Sequence, residues 1–192
     1  MKVLFNLIFL LLLNNCWGQH DSLTIYKWES LSSGVNSDTI YAISFRKMKL
    51  DSLPKELSKF HNLIYLDLDK NKLSKLPSFI SEFNFLEILK VSSNKLYNFP
   101  LPLCRMPQLK RLYLSRNNIS SIPNCIEYMK ELQYIDLYDN PIRSLPESIT
   151  KLKNLSEIDL SGIKFSPAFQ ESWIKKLPNT SFSFDPPCDC MN

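Results

Sequence analysis

Residues able to do bond-making chemistry are scarce in this 192-residue chain, and they are poorly placed for it. It holds two histidines, His20 and His61, and five cysteines. A general base working near neutral pH is most often a histidine set in a cleft beside a nucleophile. His20 stands close to an N-terminal apolar stretch, and His61 stands on the outer side of the fold that the spacing predicts below. There is no glycine-rich phosphate loop and no nucleophile elbow. Cys188-Asp189-Cys190 offers two thiols and a carboxylate, an incomplete metal set that lacks histidine and, lying in a tail, lacks surroundings to hold it. No enzyme, metal or cofactor is expected. The formal charge of +4, from 23 basic and 19 acidic residues, is too mild and mixed for a nucleic-acid or membrane-surface binder.

The chemistry that remains is that of contact. Tyr65, Ile88, Arg111 and Tyr134 follow one another at intervals of 23, as do Asp67, Lys90, Tyr113 and Asp136. Arg116 and Tyr138 stand beside these columns. Tyrosine and arginine dominate interface energetics because they bury much area and keep a polar tip. Charges alternate around them: Asp67 and Asp69, then Lys90, Arg111 and Arg116, then Asp136, Asp139 and Asp159. Two readings stand: a contact patch of Tyr65, Ile88, Lys90, Arg111, Tyr113, Arg116, Tyr134 and Tyr138, or solvated strand residues favoured by β-propensity.

The elements that would position these side chains follow from the same period. Aliphatic residues open each unit at Ile40, Leu63, Leu86, Leu109, Leu132 and Leu155. The fourth and sixth places hold Ile43/Phe45, Leu66/Leu68, Leu89/Val91, Leu112/Leu114, Ile135/Leu137 and Ile158/Leu160. Alternation with period two marks a short strand with one buried face. The ninth place holds Asn71, Asn94, Asn117 and Asn140, whose amides can satisfy backbone groups at the turn off the strand. Met48 and Ile163 take that place in the end units. Pro54, Pro77, Pro100, Pro123 and Pro146 fix φ on the return path, with Leu57, Ile80, Leu103, Ile126 and Ile149 expected to point inward.

This L-x-x-L-x-L-x-x-N-x-L-x-x-L-P-x-x-I-x-x-L pattern resembles the leucine-rich repeat in its 23-residue form, from Ile40 to Leu177. The resemblance implies an α/β solenoid: a horseshoe with a parallel concave β-sheet, short helical or extended convex segments, and N- and C-terminal caps. It also implies a non-catalytic module that holds a protein or peptide ligand. The third, fifth, seventh and eighth residues of each unit would then tile the concave face.

The expected organisation is a signal peptide over residues 1–18, an N-terminal cap over 19–39, repeats over 40–165, and a C-terminal cap helix, edge strand and cysteine-containing tail over 166–192. Lys2 followed by the apolar run Val3 to Leu13 reads as an export signal, since spanning a bilayer takes about 20 residues. A lipid anchor at Cys16 is the alternative, giving a surface lipoprotein with a structural or adhesive role. Either way a secreted or cell-envelope location is expected. Export would permit disulfides among Cys104, Cys125, Cys188 and Cys190; the closest pairings are 104 with 125 and 188 with 190, and packed free thiols are the other reading. In the N-terminal cap, Ser22 to Ser32 reads as a short helix, with Tyr26 and Trp28 as a lid. At the other end Ser166-Pro167 reads as a helix start, and Phe169, Trp173, Ile174 and Leu177 form one apolar stripe. Thr180 to Phe184 would follow as an edge strand.

Overall fold

A computed structural model describes residues 23–31 and 35–186. The expected leader with Cys16, as well as His20, Cys188 and Cys190, lies outside the described residues. Among the described residues, eight strands form one parallel sheet in sequence order. They are β1 (Tyr26–Lys27), β2 (Ala42–Ser44), β3 (Tyr65–Asp67), β4 (Ile88–Lys90), β5 (Arg111–Tyr113), β6 (Tyr134–Asp136), β7 (Glu157–Asp159) and β8 (Ser181–Ser183). From β2 to β7 the register follows the 23-residue period, pairing Ile43, Leu66, Leu89, Leu112, Ile135 and Ile158 in a row. These residues are fully buried, because a strand of three residues can hide its apolar face only against the units stacked beside it.

Each proline-marked return path is a single 3-10 turn: Lys55–Lys59, Ser78–Glu82, Leu101–Arg105, Asn124–Tyr128 and Glu147–Lys151. The proline before each turn is extended, and the expected Leu57, Ile80, Leu103, Ile126 and Ile149 are buried inside. Cys104 and Cys125 form a disulfide that ties the third and fourth of these turns together, with Cα atoms 5.6 Å apart.

The asparagine column forms a ladder. The Asn94 amide nitrogen donates to the carbonyls of Leu68 and Val91 at 3.0 and 3.1 Å, and its oxygen accepts the Leu73 N–H at 3.0 Å. Asn71, Asn117 and Asn140 make the same set in their own units. Each side chain therefore satisfies its own turn and the turn before it, as buried backbone groups require. Just ahead of it, the eighth residue of all six units is left-handed: Lys47, Lys70, Ser93, Arg116, Asp139 and Gly162, with φ between 53° and 75°. In the first five units the eighth N–H is thereby aimed at the seventh carbonyl of the next, as in Ser93 to Ser115 at 2.8 Å.

The N-terminal cap differs from expectation. Tyr26 and Lys27 are not helical; they add strand β1 to the sheet, pairing with Ile43 and Ser44, and Trp28–Ser30 and Ser37–Thr39 make 3-10 turns. Tyr26 and Trp28 thus copy the period-two alternation of a repeat, and Trp28 stacks on Phe45 at 4.7 Å between ring centroids. The first full strand starts at Ala42, two residues after Ile40 opens the unit. The C-terminal helix α1 (Pro167–Lys176) starts as expected, with the Ser166 side chain accepting the Phe169 N–H. Phe169 stacks on Phe165 at 4.0 Å, and Trp173 and Leu177 are buried. Ile174 is the exception: at 51 % exposure it faces away, because only positions four apart stay on the narrow stripe that meets the last rung. Strand β8 closes the sheet, and the Asp185 carboxylate accepts the Gly162 N–H, the place a further unit would fill.

Candidate functional site

The outward faces of β2 to β7 form a continuous surface on which side chains from neighbouring units stand in rows. One row crosses the sheet through Asp67, Lys90, Tyr113, Asp136 and Asp159; the next crosses through Tyr65, Ile88, Arg111, Tyr134 and Glu157. The 23-residue period brings these residues together, so the two sequence columns are spatial rows.

The centre is a grid of cations on tyrosine rings. The Lys90 ammonium lies 5.7 Å from the centre of the Tyr65 ring and 5.1 Å from that of Tyr113. The Arg111 guanidinium lies 5.6 Å from the Tyr134 ring centre, and that of Arg116 5.4 Å from Tyr138. Tyr113 and Tyr134 pack against each other at 5.1 Å. Such contacts hold long side chains in place at about 0.5–1 kcal/mol each where water still reaches them. Burial pushes the Tyr65 phenol up to about 12, and the Asp67 and Asp69 carboxylates add to this. Tyr113 and Tyr134 are also raised, first by burial. At neutral pH all three therefore present hydroxyls that can donate.

Two predicted roles are corrected. Ile88 is only 6 % exposed and offers no contact surface, because Tyr65 and Arg111 flank it in its row. Asp67 and Asp69, read as outward charges, are buried. Asp69 accepts from Arg46 Nη1 at 2.6 Å and from the Ser92 N–H at 2.7 Å. Asp67 accepts the Asp69 N–H at 2.9 Å and the Ser44 hydroxyl at 3.3 Å. Arg46, the seventh residue of the first unit, is thus on the face as its place implies, although it stands outside the expected contact patch.

The opposite end is different. Asp136 accepts the Tyr138 N–H at 3.0 Å, and Asp159 accepts the Ser161 N–H at 2.9 Å. Among the described residues, no lysine or arginine nitrogen comes within 4.0 Å of either carboxylate. Burial holds the Asp136 carboxyl above the usual range, and the neighbouring Asp159 charge adds to that. Asn71, Asn94, Asn117 and Asn140 sit beneath the face as structural residues. Among the described residues there is no cluster of three or more His, Cys, Asp or Glu that could hold a metal. Nor is any described helix long and apolar enough to cross a membrane.

Residues 43–179 match the leucine-rich repeat region family, and the chain belongs to it. A leucine-rich repeat protein of Leptospira interrogans has a similar solved structure, at 31 % identity and a TM-score of 0.67. The likeness covers 76 % of this chain and 36 % of that one, so this chain spans little more than a third of that protein's length. No curated protein matches. Solenoids of this family commonly serve as protein-interaction modules.

Proposed function

We propose that the chain is an exported, non-catalytic binding module that holds a protein or peptide on the concave face of its sheet. The observation that carries this reading is the grid of Tyr65, Lys90, Arg111, Tyr113 and Tyr134, half-buried rings and cations prepositioned on rigid strands. Prepositioning lowers the entropy cost of association, which is where rigid aromatic surfaces gain affinity. Export is supported by the Cys104–Cys125 disulfide, a bond that persists in oxidising compartments. The intact mass of the mature protein decides between a free N-terminus near Gln19 and a lipid carried at Cys16.

The binding reading is tested by capture of a partner from the native host, run beside an Arg111→Ala/Tyr113→Ala double variant. Each substitution is expected to weaken the captured partner by about 1–3 kcal/mol while the melting temperature stays nearly constant. Equal capture by wild type and double variant would remove the concave face from the function.

A further inference from the structure

The proposal deepens the concave-face reading and rests on it. The row through Asp67, Lys90, Tyr113, Asp136 and Asp159 carries its charges in a fixed order, and each end is in a different state. Asp67 and Lys90 are direct neighbours across β3 and β4, yet they make no ion pair. Asp67 instead faces Arg46, Ser44 and the Asp69 N–H, and Lys90 is suspended between two tyrosine rings. Lys90 therefore stands with no carboxylate within 4.0 Å among the described residues, flanked by phenols that can donate. At the far end of the row Asp136 and Asp159 face each other across β6 and β7 with no cation of the chain within that distance. Like charges directly opposite on a sheet repel, and these two are held by the Tyr138 and Ser161 N–H groups and the Ser161 hydroxyl rather than by a cation. A ligand that brings an anion to Lys90 and a cation to the carboxylate pair would meet both places at once.

We infer that this row accepts an extended segment of a partner protein that crosses the strands, seating an acidic side chain at Lys90 and Tyr113 and a basic one at Asp136 and Asp159. Neighbouring strands lie about 4.8 Å apart, so Lys90 and the acidic pair are about 10–14 Å apart along the row. An extended chain advances about 3.3 Å per residue, which sets the acid and the base about three or four residues apart. The Arg46-neutralised Asp67 and Asp69 make no demand on the ligand, so the charge pattern it must carry is short. A uniformly basic segment is repelled at Lys90, and a uniformly acidic one at the carboxylate pair; the order of charges rejects both.

Four synthetic ten-residue peptides with one tyrosine each test this by fluorescence anisotropy against the purified protein at low salt. One carries Glu and Lys four residues apart, one only the Glu, one only the Lys, and one Gln at both places. The doubly charged peptide is expected to bind best, with each single-charge peptide about fivefold weaker. Lys90→Gln is expected to erase the advantage of Glu and leave that of Lys, while Asp136→Asn/Asp159→Asn does the reverse. Equal affinity for all four, tighter binding of a singly charged one, or no binding of any at about 1 mM would overturn the inference. Equal affinities that Tyr113→Ala abolishes together would overturn it while leaving the concave-face reading intact. Capture of a host partner indifferent to Arg111 and Tyr113 would instead remove that reading.

Discussion

Two sets of side chains run the length of the same sheet, one beneath it and one above. Beneath it, Asn71, Asn94, Asn117 and Asn140 are identical and make the same bonds four times over. Above it, the fifth-place row runs Ser44, Asp67, Lys90, Tyr113, Asp136 and Asp159, with no neighbour repeated until the last pair. Both sets are placed by one period, so the difference lies in what each side chain answers to. The ladder answers to backbone groups that every turn presents alike, and only an amide with two donors and an acceptor meets them all. The face is held less strictly: Ser44, Asp67, Asp136 and Asp159 each accept the N–H two residues on, whereas Lys90 and Tyr113 bring a cation and a ring to the same place. Uniformity therefore marks structure here, and variety marks the contact surface.

That contrast can be broken by measurement. Asn117→Ala removes a donor to Val91 and Leu114 and the acceptor for Leu96, leaving buried backbone groups orphaned. It is expected to lower unfolding free energy by about 4 kcal/mol in a denaturant titration, far more than any single change on the face. A loss below that of Tyr113→Ala would reverse the comparison. Cys104→Ala/Cys125→Ala opens a loop with a sequence separation of 21 and should cost about 3 kcal/mol, read as a lower melting temperature that reductant no longer changes.

A smaller effect is expected where ladder and face meet. Gly162 has φ +75°, and an added Cβ would stand 3.0 Å from the Asp139 nitrogen and from Tyr138 Cε2. Gly162→Ala should cost about 2 kcal/mol in thermal unfolding, and an unchanged melting temperature would show that the turn relaxes. The smallest expected effect is a gain. The Asp136 carboxyl is raised in the folded state by burial, so the folded protein prefers it protonated. Its contribution is fully favourable below the unfolded pKa and is lost as pH rises through the folded one. Asp136→Asn is therefore expected to raise the melting temperature at pH 7, by within about 0.5 kcal/mol, with the difference vanishing near pH 3. A variant less stable at pH 7 would mean that the charge belongs to a stabilising contact.

The repeat was legible because period and burial are coupled: an aliphatic residue that recurs every 23 places in a stacked rung has one place to go. The asparagines were legible for the same reason. Strand β1 was not, since Tyr26 and Lys27 are a two-residue strand whose alternation with Trp28 is too short to distinguish from helical spacing. The left-handed eighth place was also hidden, because lysine, serine, arginine and aspartate occupy it and only Gly162 betrays the requirement. On the face, all the predicted binding residues except Ile88 lie on its open surface, but their mutual contacts and the neutralising role of Arg46 were not in the columns.

Sequence alone determined the number of full rungs, their register, the inward aliphatic set, the amide ladder and which residues share a row, because a fixed repeat length converts position directly into neighbourhood. Tertiary structure alone decided which charges are spent internally. Arg46 reaches Asp69 while Asp136 and Asp159 meet no cation within 4.0 Å among the described residues. Side-chain reach and burial, which no spacing encodes, separate a satisfied carboxylate from one available to a partner.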